Sequence, residues 1–416
     1  ASAPTLYYWC HHHASMGGIA STPAAVIVNK LLAYDGSGNL PAVDGSQITN
    51  VSTATSSASD PTISTNPSGG VGTEWQNTTS GEVYICTDAT AGANVWTNIG
   101  AGSGDIVPFH AWGSNYGFAS GGSQWPANTP VNIIEKYSFT SNGNATDHGD
   151  LFVTRHYVSG NSSTTHGYTT GGSTTSNSAA SDVIDKFTFV SSGNATDVGD
   201  LNHVVFLTAN QSSTTHGYVC GGDGSSNTPN YNNIRKFSFS SGTQNTSDIA
   251  DLTQARSRFS GCSSTTHGYS VGGSISTSWT RYNIIDKFPF ATDSNATDVG
   301  DLPATSSALT STQSQTYGYN FGRYDASGVG GAGEDMIDKF SFSSDGNTSD
   351  VGDLTVGRTN ASATASTTHG YCHGGYQSDG DPQYDVIDRV SFSSDGDATD
   401  VGDLSDIRTT LAGQQY

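Results

Sequence analysis

The string STTHGYTTGG at 163–172 returns as STTHGYVCGG at 213–222, STTHGYSVGG at 264–273 and STTHGYCHGG at 366–375. Two degenerate copies complete the series. Aligned on the Gly-aromatic pair, six units begin at Gly117, Gly167, Gly217, Gly268, Gly318 and Gly370, with a period of 50–52 residues. No other feature constrains the fold as strongly. A unit of that length cannot bury both of its faces alone, so it gains a core only by stacking on like neighbours.

Each unit carries the same parts in the same order. In the second, Val183-Ile184-Asp185-Lys186-Phe187-Thr188-Phe189 sets Phe187 and Phe189 on one face, Lys186 and Thr188 on the other. A period of two in β-branched and aromatic residues, bounded by Gly, Asn and Asp, reads as a strand. The turn SSGNATD follows, then Val198-Gly199-Asp200-Leu201. Four strands per unit predict an all-β chain whose six four-stranded sheets form a ring. Composition agrees: 33% of the 416 residues are apolar and 51 are Gly. No segment keeps helical spacing, and Gly, Asn, Asp and Ser supply turn conformations.

The C-terminal residues predict how the ring closes. Asp200 lies 17 residues before Gly217, a spacing that recurs between units, yet only 13 residues follow Asp403. The first unit lacks an innermost strand ahead of Gly117. Residues 405–415 are therefore expected to supply it and to leave no open strand edge.

A strand ending in a double glycine, a following strand such as Ile184-Asp185-Lys186-Phe187, and a period near fifty resemble the kelch repeat over residues 105–416. The resemblance implies a six-bladed kelch-like β-propeller closed by the C-terminal strand. Two departures stand out. ATDVGDL occupies the place of the family's outer-strand Trp, and Gly322-Arg323 replaces the double glycine of the fifth unit. Propellers host many functions, so the fold transfers no activity.

Residues shared by the units read as frame. His166, His216, His267 and His369 fill one position, with Tyr116 and Tyr317 in the other two units. Metal-ligand bonds are about 2 Å long and packed sheets lie about 10 Å apart, so these histidines are expected in tight turns, bonded to backbone. The glycine pairs at 171/172, 221/222, 272/273 and 374/375 are expected where a Cβ would block the backbone. Asp197, Asp200 and their counterparts predict Asx-type turns and strand-end hydrogen bonds. Lys136, Lys186, Lys236, Lys287, Lys339 and Arg389 predict pairing with Asp of the next unit. Cys10, Cys86, Cys220, Cys262 and Cys372 form no CxxC pair, so neither a disulfide framework nor a metal site is expected. No cofactor is expected. His11-His12-His13 leaves three readings open: a metal ligand set, an appended segment or a polar tip.

What differs between units is the loop after the glycine pair. These loops are expected on one face, where they bring Trp125, Tyr231, Trp279, Tyr282, Tyr324, Tyr376 and Tyr384. Aromatics on Ser/Asn/Gly-rich loops suit a binding surface; the alternative is packing onto the rim. No GxSxG, HExxH or pocket-bound carboxylate pair marks a catalytic centre, so no enzyme is expected. The net charge of −22 argues against a nucleic-acid partner, which needs clustered Lys and Arg. No run approaches the ~20 apolar residues of a membrane span, and no secretion signal is expected.

Residues 31–51, LLAYDGSGNLPAVDGSQITNV, are similar to a segment frequent in tailed-phage fibre proteins. Residues 60–100, with Val83-Tyr84-Ile85-Cys86 between Trp75 and Trp96, resemble a small β module of phage tail and fibre proteins. The expected organisation is an extended particle-anchoring segment (1–30), a fibre-like linker (31–59), a small β module (60–104) and the propeller (105–416). These resemblances imply a structural virion protein of a tailed phage, a tail fibre or receptor-binding appendage. It would join other virion proteins through its N-terminal region and meet a host-surface glycan or protein with the propeller. Such fibres are commonly homo-oligomers, trimers in particular. Two alternatives are a capsid-surface fibre or decoration protein, and a carbohydrate-binding or glycan-degrading propeller.

Overall fold

The computed structural model describes residues 5–9, 17–21, 54–99, 113–124, 126–175, 179–224, 230–325, 333–377 and 383–416. Strands, bridges and turns account for all the structure assigned among them, with no helix. The chain divides into two compact units, Ala1–Pro108 and Phe109–Tyr416.

In the first unit, Thr5–Trp9 and Gly17–Ser21 pair antiparallel, Thr5 opposite Ser21 and Trp9 opposite Gly17. Within the segment expected to be extended, these two described stretches are paired strands, and the aromatic run Tyr7-Tyr8-Trp9 suits a strand. His11, His12 and His13 lie outside the described residues. A separate sheet has the order Thr55–Ser57, Glu74–Asn77, Val83–Asp88, Val95–Asn98. Its first pair is parallel, so Thr55–Ser57, assigned to the linker from sequence, is an edge strand of this sheet. Tyr84, Cys86 and Trp96 are fully buried, and Trp75 packs edge-on against Trp96 at 5.9 Å. This is the small core expected around that strand.

The second unit is built of antiparallel four-stranded sheets, consistent with a β-propeller-like fold. The second repeat shows the pattern: Ser159–Ser162, His166–Thr170, Val183–Thr188, Thr196–Asp200, in spatial order. The third, fourth, fifth and sixth repeats follow it. The fourth and fifth are also joined directly, Ser306 opposite Asp325 and Ser307 opposite Tyr324. In the first repeat the strand in the place of Ser159–Ser162 is Ala412–Gln415, paired antiparallel with Tyr116–Ser120. Arg408–Thr409 pairs with Ser123–Gln124 just before it. Ala412–Gln415 also touches the matching strands of the second and sixth repeats, Ser159–Ser162 and Ser362–Ala365.

Neighbouring repeats are joined by contacts that recur at each junction. The ring after each Gly stacks on the aromatic ending the next repeat's third strand: Tyr168 on Phe239 (5.0 Å), Tyr218 on Phe290 (4.8 Å), Tyr269 on Phe342 (4.9 Å). Tyr371 of the sixth repeat stacks in the same way on Phe139 of the first (4.7 Å). Such pairs contribute about 0.5–1.5 kcal/mol each beyond the area they bury. The Asn of the NAT turn reaches back to the preceding repeat. Asn194, Asn245, Asn295 and Asn347 accept from the amides of Asp150, Asp200, Asp251 and Asp301, and Asn144 accepts from Asp403. Sequence reading saw only a turn at these positions.

A buried cation marks each junction as well. Arg155, Arg256, Arg358 and Arg408 are fully buried and pair with Asp185, Asp286, Asp388 and Glu135 of the following repeat. The fourth repeat has Ser306 in place of that Arg. There the cation comes from Arg323, the residue that breaks the fifth double glycine, and it holds Asp338 at 3.0 Å and Glu334 at 2.6 Å. At the remaining junction Val205 stands for Arg, and Arg235 replaces the acid, donating to Asn202 and to the Gly221 carbonyl. The expected pairing of the lysine series is present in Lys236–Asp293 (2.6 Å), Lys287–Asp345 (2.9 Å) and Lys339–Asp395, each to the next repeat. These three are solvent-exposed and contribute little.

Gly171 sits at φ 59°, and a Cβ on it would meet the Val205 carbonyl oxygen at 2.5 Å. That is the close approach expected of the double glycine. Asp197, Asp298, Asp350 and Asp400 accept from the amide two residues on, closing the expected Asx turns. The repeated histidines correct the sequence reading. They open the second strand, and Nδ1 of His166 bonds the Thr165 hydroxyl at 2.8 Å rather than backbone. His216, His267 and His369 do the same with Thr215, Thr266 and Thr368. The turn that leads into the strand is closed locally, the Ser163 hydroxyl accepting from the His166 amide at 3.0 Å.

Candidate functional site

Between the buried cation and the strand that follows it, each repeat makes one sharp turn. The turning residues are Tyr157, Leu207, Arg258, Ala308, Asn360 and Thr410, all in the left-handed region with φ 50–57°. Only Asn among these types tolerates that conformation well; for the others it costs roughly 1–2 kcal/mol. Glycine would remove the strain, and none of the six is glycine. Their backbones form a belt. The amides of Leu207, Arg258, Ala308, Asn360 and Thr410 each donate to the carbonyl of the preceding member, at 2.7–3.2 Å.

The belt rims a cavity whose wall continues through Gly160, Asn210, Gly261, Ser311, Ala363 and Gly413. The cavity holds about 120 Å³, against about 300–1,000 Å³ for a small-molecule site. A deeper part, about 50 Å³, is lined by hydroxyls and amides such as Ser212, Ser263, Gln313 and Gln415. A saccharide or peptide therefore fits across the mouth rather than inside.

The fold brings the variable loops to this mouth. The residue before each belt member bridges the residue after the glycine pair: His156 to Ser173, Phe206 to Asp223, Ser257 to Ser274, Thr359 to Tyr376. Ser307 pairs with Tyr324 and Thr409 with Ser123 in the same way. Three of the sequence-assigned aromatics meet the belt or its neighbours. The Arg258 guanidinium lies over the Trp279 ring at 5.1 Å. The Tyr376 hydroxyl accepts from Asn360 Nδ2 at 3.0 Å. Arg281, which donates to Ser307 beside the belt, lies over Tyr324 at 4.6 Å. Trp279 is 59% exposed and itself has φ 54°. It is held by its amide bond to the Ile275 carbonyl at 2.8 Å.

The other assignments fare differently. Tyr231 is half-buried, packed against Arg235 (5.2 Å) and His203 (5.3 Å), so it covers the inverted junction. Tyr282 and Tyr384 are half-buried; Tyr282 begins a strand and its amide bonds the Gly273 carbonyl. Trp125 lies outside the described residues. Of the aromatics expected to be exposed, Trp279 alone is so among the described residues; Tyr231 and Tyr324 pack their rings against arginines. The belt and Arg258 were not legible from sequence. Their one signal was a position two residues past the junction Arg that changes in every unit.

Two arginines near the mouth, Arg258 and Arg281, have no carboxylate partner within salt-bridge distance among the described residues, in a protein with 37 Asp and Glu against 15 Lys and Arg. Arg258 Nε is buried with no hydrogen-bond partner among those residues. Elsewhere burial suppresses chemistry. Cys220, Cys262 and Cys372 are buried free thiols pushed up by burial, Cys220 to about 12 and Cys372 to about 11. His373, fully buried beside Tyr137, is pushed down to about 3 by burial and then by Arg408 and Arg358. These groups stay neutral at ordinary pH. Compared with known proteins, the chain matches no family model and no curated protein.

Proposed function

We propose that Phe109–Tyr416 is a six-bladed kelch-like β-propeller closed by its C-terminal strand. We read the protein as a structural virion protein of a tailed phage, a tail fibre or receptor-binding appendage that turns the cavity mouth toward the host. Closure is supported by the sixth-to-first junction, where Tyr371–Phe139, Asn144–Asp403 and Arg408–Glu135 reproduce the contacts of the internal junctions. The functional reading is carried by one observation. Frame positions repeat, whereas the strained belt at the mouth holds six different residue types. Strain kept for the sake of varied side chains suits recognition. The fibre-like segments at 31–51 and 60–100 supply the virion address, and the reading requires no catalytic step or cofactor.

Purified protein should compete with phage particles for adsorption to host cells, and immunogold against it should decorate the tail. Trp279→Ala should lose the competition while keeping its melting temperature. Gold on the capsid overturns the tail assignment; undiminished competition by the variant overturns the assignment of the face.

A further inference from the structure

We infer that the cavity mouth recognises a glycan carrying an isolated carboxylate sugar, with Arg258 taking the carboxylate and Trp279 the pyranose face. This rests on the reading of the mouth as the receptor-binding face and adds the ligand's chemistry.

Two guanidinium–aromatic pairs flank the mouth: Arg258 over Trp279 and Arg281 over Tyr324. Five buried arginines and three lysines have carboxylate partners; Lys136, Lys186, Arg235 and Arg389 have none among the described residues, and neither do Arg258 and Arg281. These two arginines instead lay their planes on rings. A stacked guanidinium keeps its N–H donors in the plane, in the fork that matches a carboxylate bidentately. Nε of Arg258 is buried while the residue as a whole is half-buried, which leaves its terminal nitrogens as the donors for a ligand. Trp279 adds an exposed apolar plate, held there in a left-handed backbone conformation that a Trp disfavours. Aromatic faces of this kind pack against the C–H face of a pyranose, and the small cavity behind admits no more than a substituent.

The overall charge narrows the class further. A net −22 repels densely charged polymers at long range. A single uronic or sialic acid in an otherwise neutral glycan avoids most of that repulsion and still satisfies Arg258.

The test measures binding of the full chain to sialyllactose, an aldobiouronic acid and a hyaluronan tetrasaccharide, each beside its carboxyl-reduced neutral form. At least one acidic probe should bind at least about tenfold tighter than its reduced form, and less tightly as salt rises. Arg258→Ala should lose at least about tenfold, with Arg258→Lys in between. Alanine is accommodated at this position, because Ala308 is the equivalent residue of the next repeat at φ 57°. Equal binding of acidic and reduced forms, no binding of any acidic probe, or full binding by Arg258→Ala overturns the inference. If neutral probes bind in a Trp279-dependent way, the acid specificity falls and the receptor face stands. If no probe binds and Trp279→Ala also leaves adsorption competition intact, both fall.

Discussion

Replacing Arg256 by Met tests whether the junction cations act by neutralising buried carboxylates. Asp286 Oδ2 accepts from Arg256 Nη1 at 2.8 Å and from the Thr253 amide at 3.1 Å; Oδ1 accepts from the Thr253 hydroxyl at 2.7 Å. Both charged side chains are fully buried. Methionine fills much of the volume and leaves the carboxylate with two hydrogen bonds and no cation. Stranding one partner of a buried pair costs about 3–5 kcal/mol. Unfolding entropy near 2.1 cal/mol/K per residue, for a unit of about 300 residues, converts this to a fall of roughly 5–8 °C in Tm. Arg256→Met/Asp286→Asn removes the stranded charge, keeps an acceptor for the Thr253 amide and turns a donor to its hydroxyl, and should recover more than half of the loss in a calorimetric scan. The Val205/Arg235 junction shows that the frame tolerates another charge arrangement at this site. A double variant melting as low as the single would refute the reasoning, because the penalty would then lie in lost guanidinium packing.

Deleting Arg408–Tyr416 should lower Tm by more than any single junction variant. It strips the ladder from Tyr116–Ser120, uncovers the fully buried Glu135 and removes the buried Leu411 and Gln414; an unchanged melting curve would refute the closing role of the strand. The Asp338 carboxyl is pushed up to about 6 by burial, against the opposing pull of Arg323. The native state therefore holds a proton that the unfolded chain has released, so this contribution is full below about pH 4 and is lost as pH rises through about 6. A shift of about two units corresponds to about 3 kcal/mol. The difference in stability between wild type and Asp338→Asn should change by up to that amount between pH 4 and 7; parallel denaturation profiles would refute it.

Much of the frame was legible because it depends on local chemistry. Period-two strands such as Val183–Thr188, Asx turns at Asp197 and the positive φ of Gly171 are consequences of a few adjacent residues. Even the pairing of Ala412–Gln415 with Tyr116–Ser120 followed from counting, since a repeat that lacks a strand at one end and carries a spare at the other has few ways to bury both. The histidines misled for the converse reason: whether a ring reaches backbone or the neighbouring threonine hydroxyl depends on a side-chain rotamer that the repeat pattern does not specify.

The candidate site depends on residues distant in the chain. Arg323 reads as a lapse in the fifth double glycine until Ser306 and Asp338 are seen beside it. Arg258 meets Trp279 only because Ser257 bridges Ser274 across the sheet edge. Sequence by itself determined the repeating unit, its strands and its turns, because hydrogen bonding and side-chain alternation act over a few residues. Tertiary structure alone decided which side chains converge on the mouth, which cation serves which acid and which aromatic stays exposed, because desolvation and charge pairing are settled by neighbours that the chain order does not name.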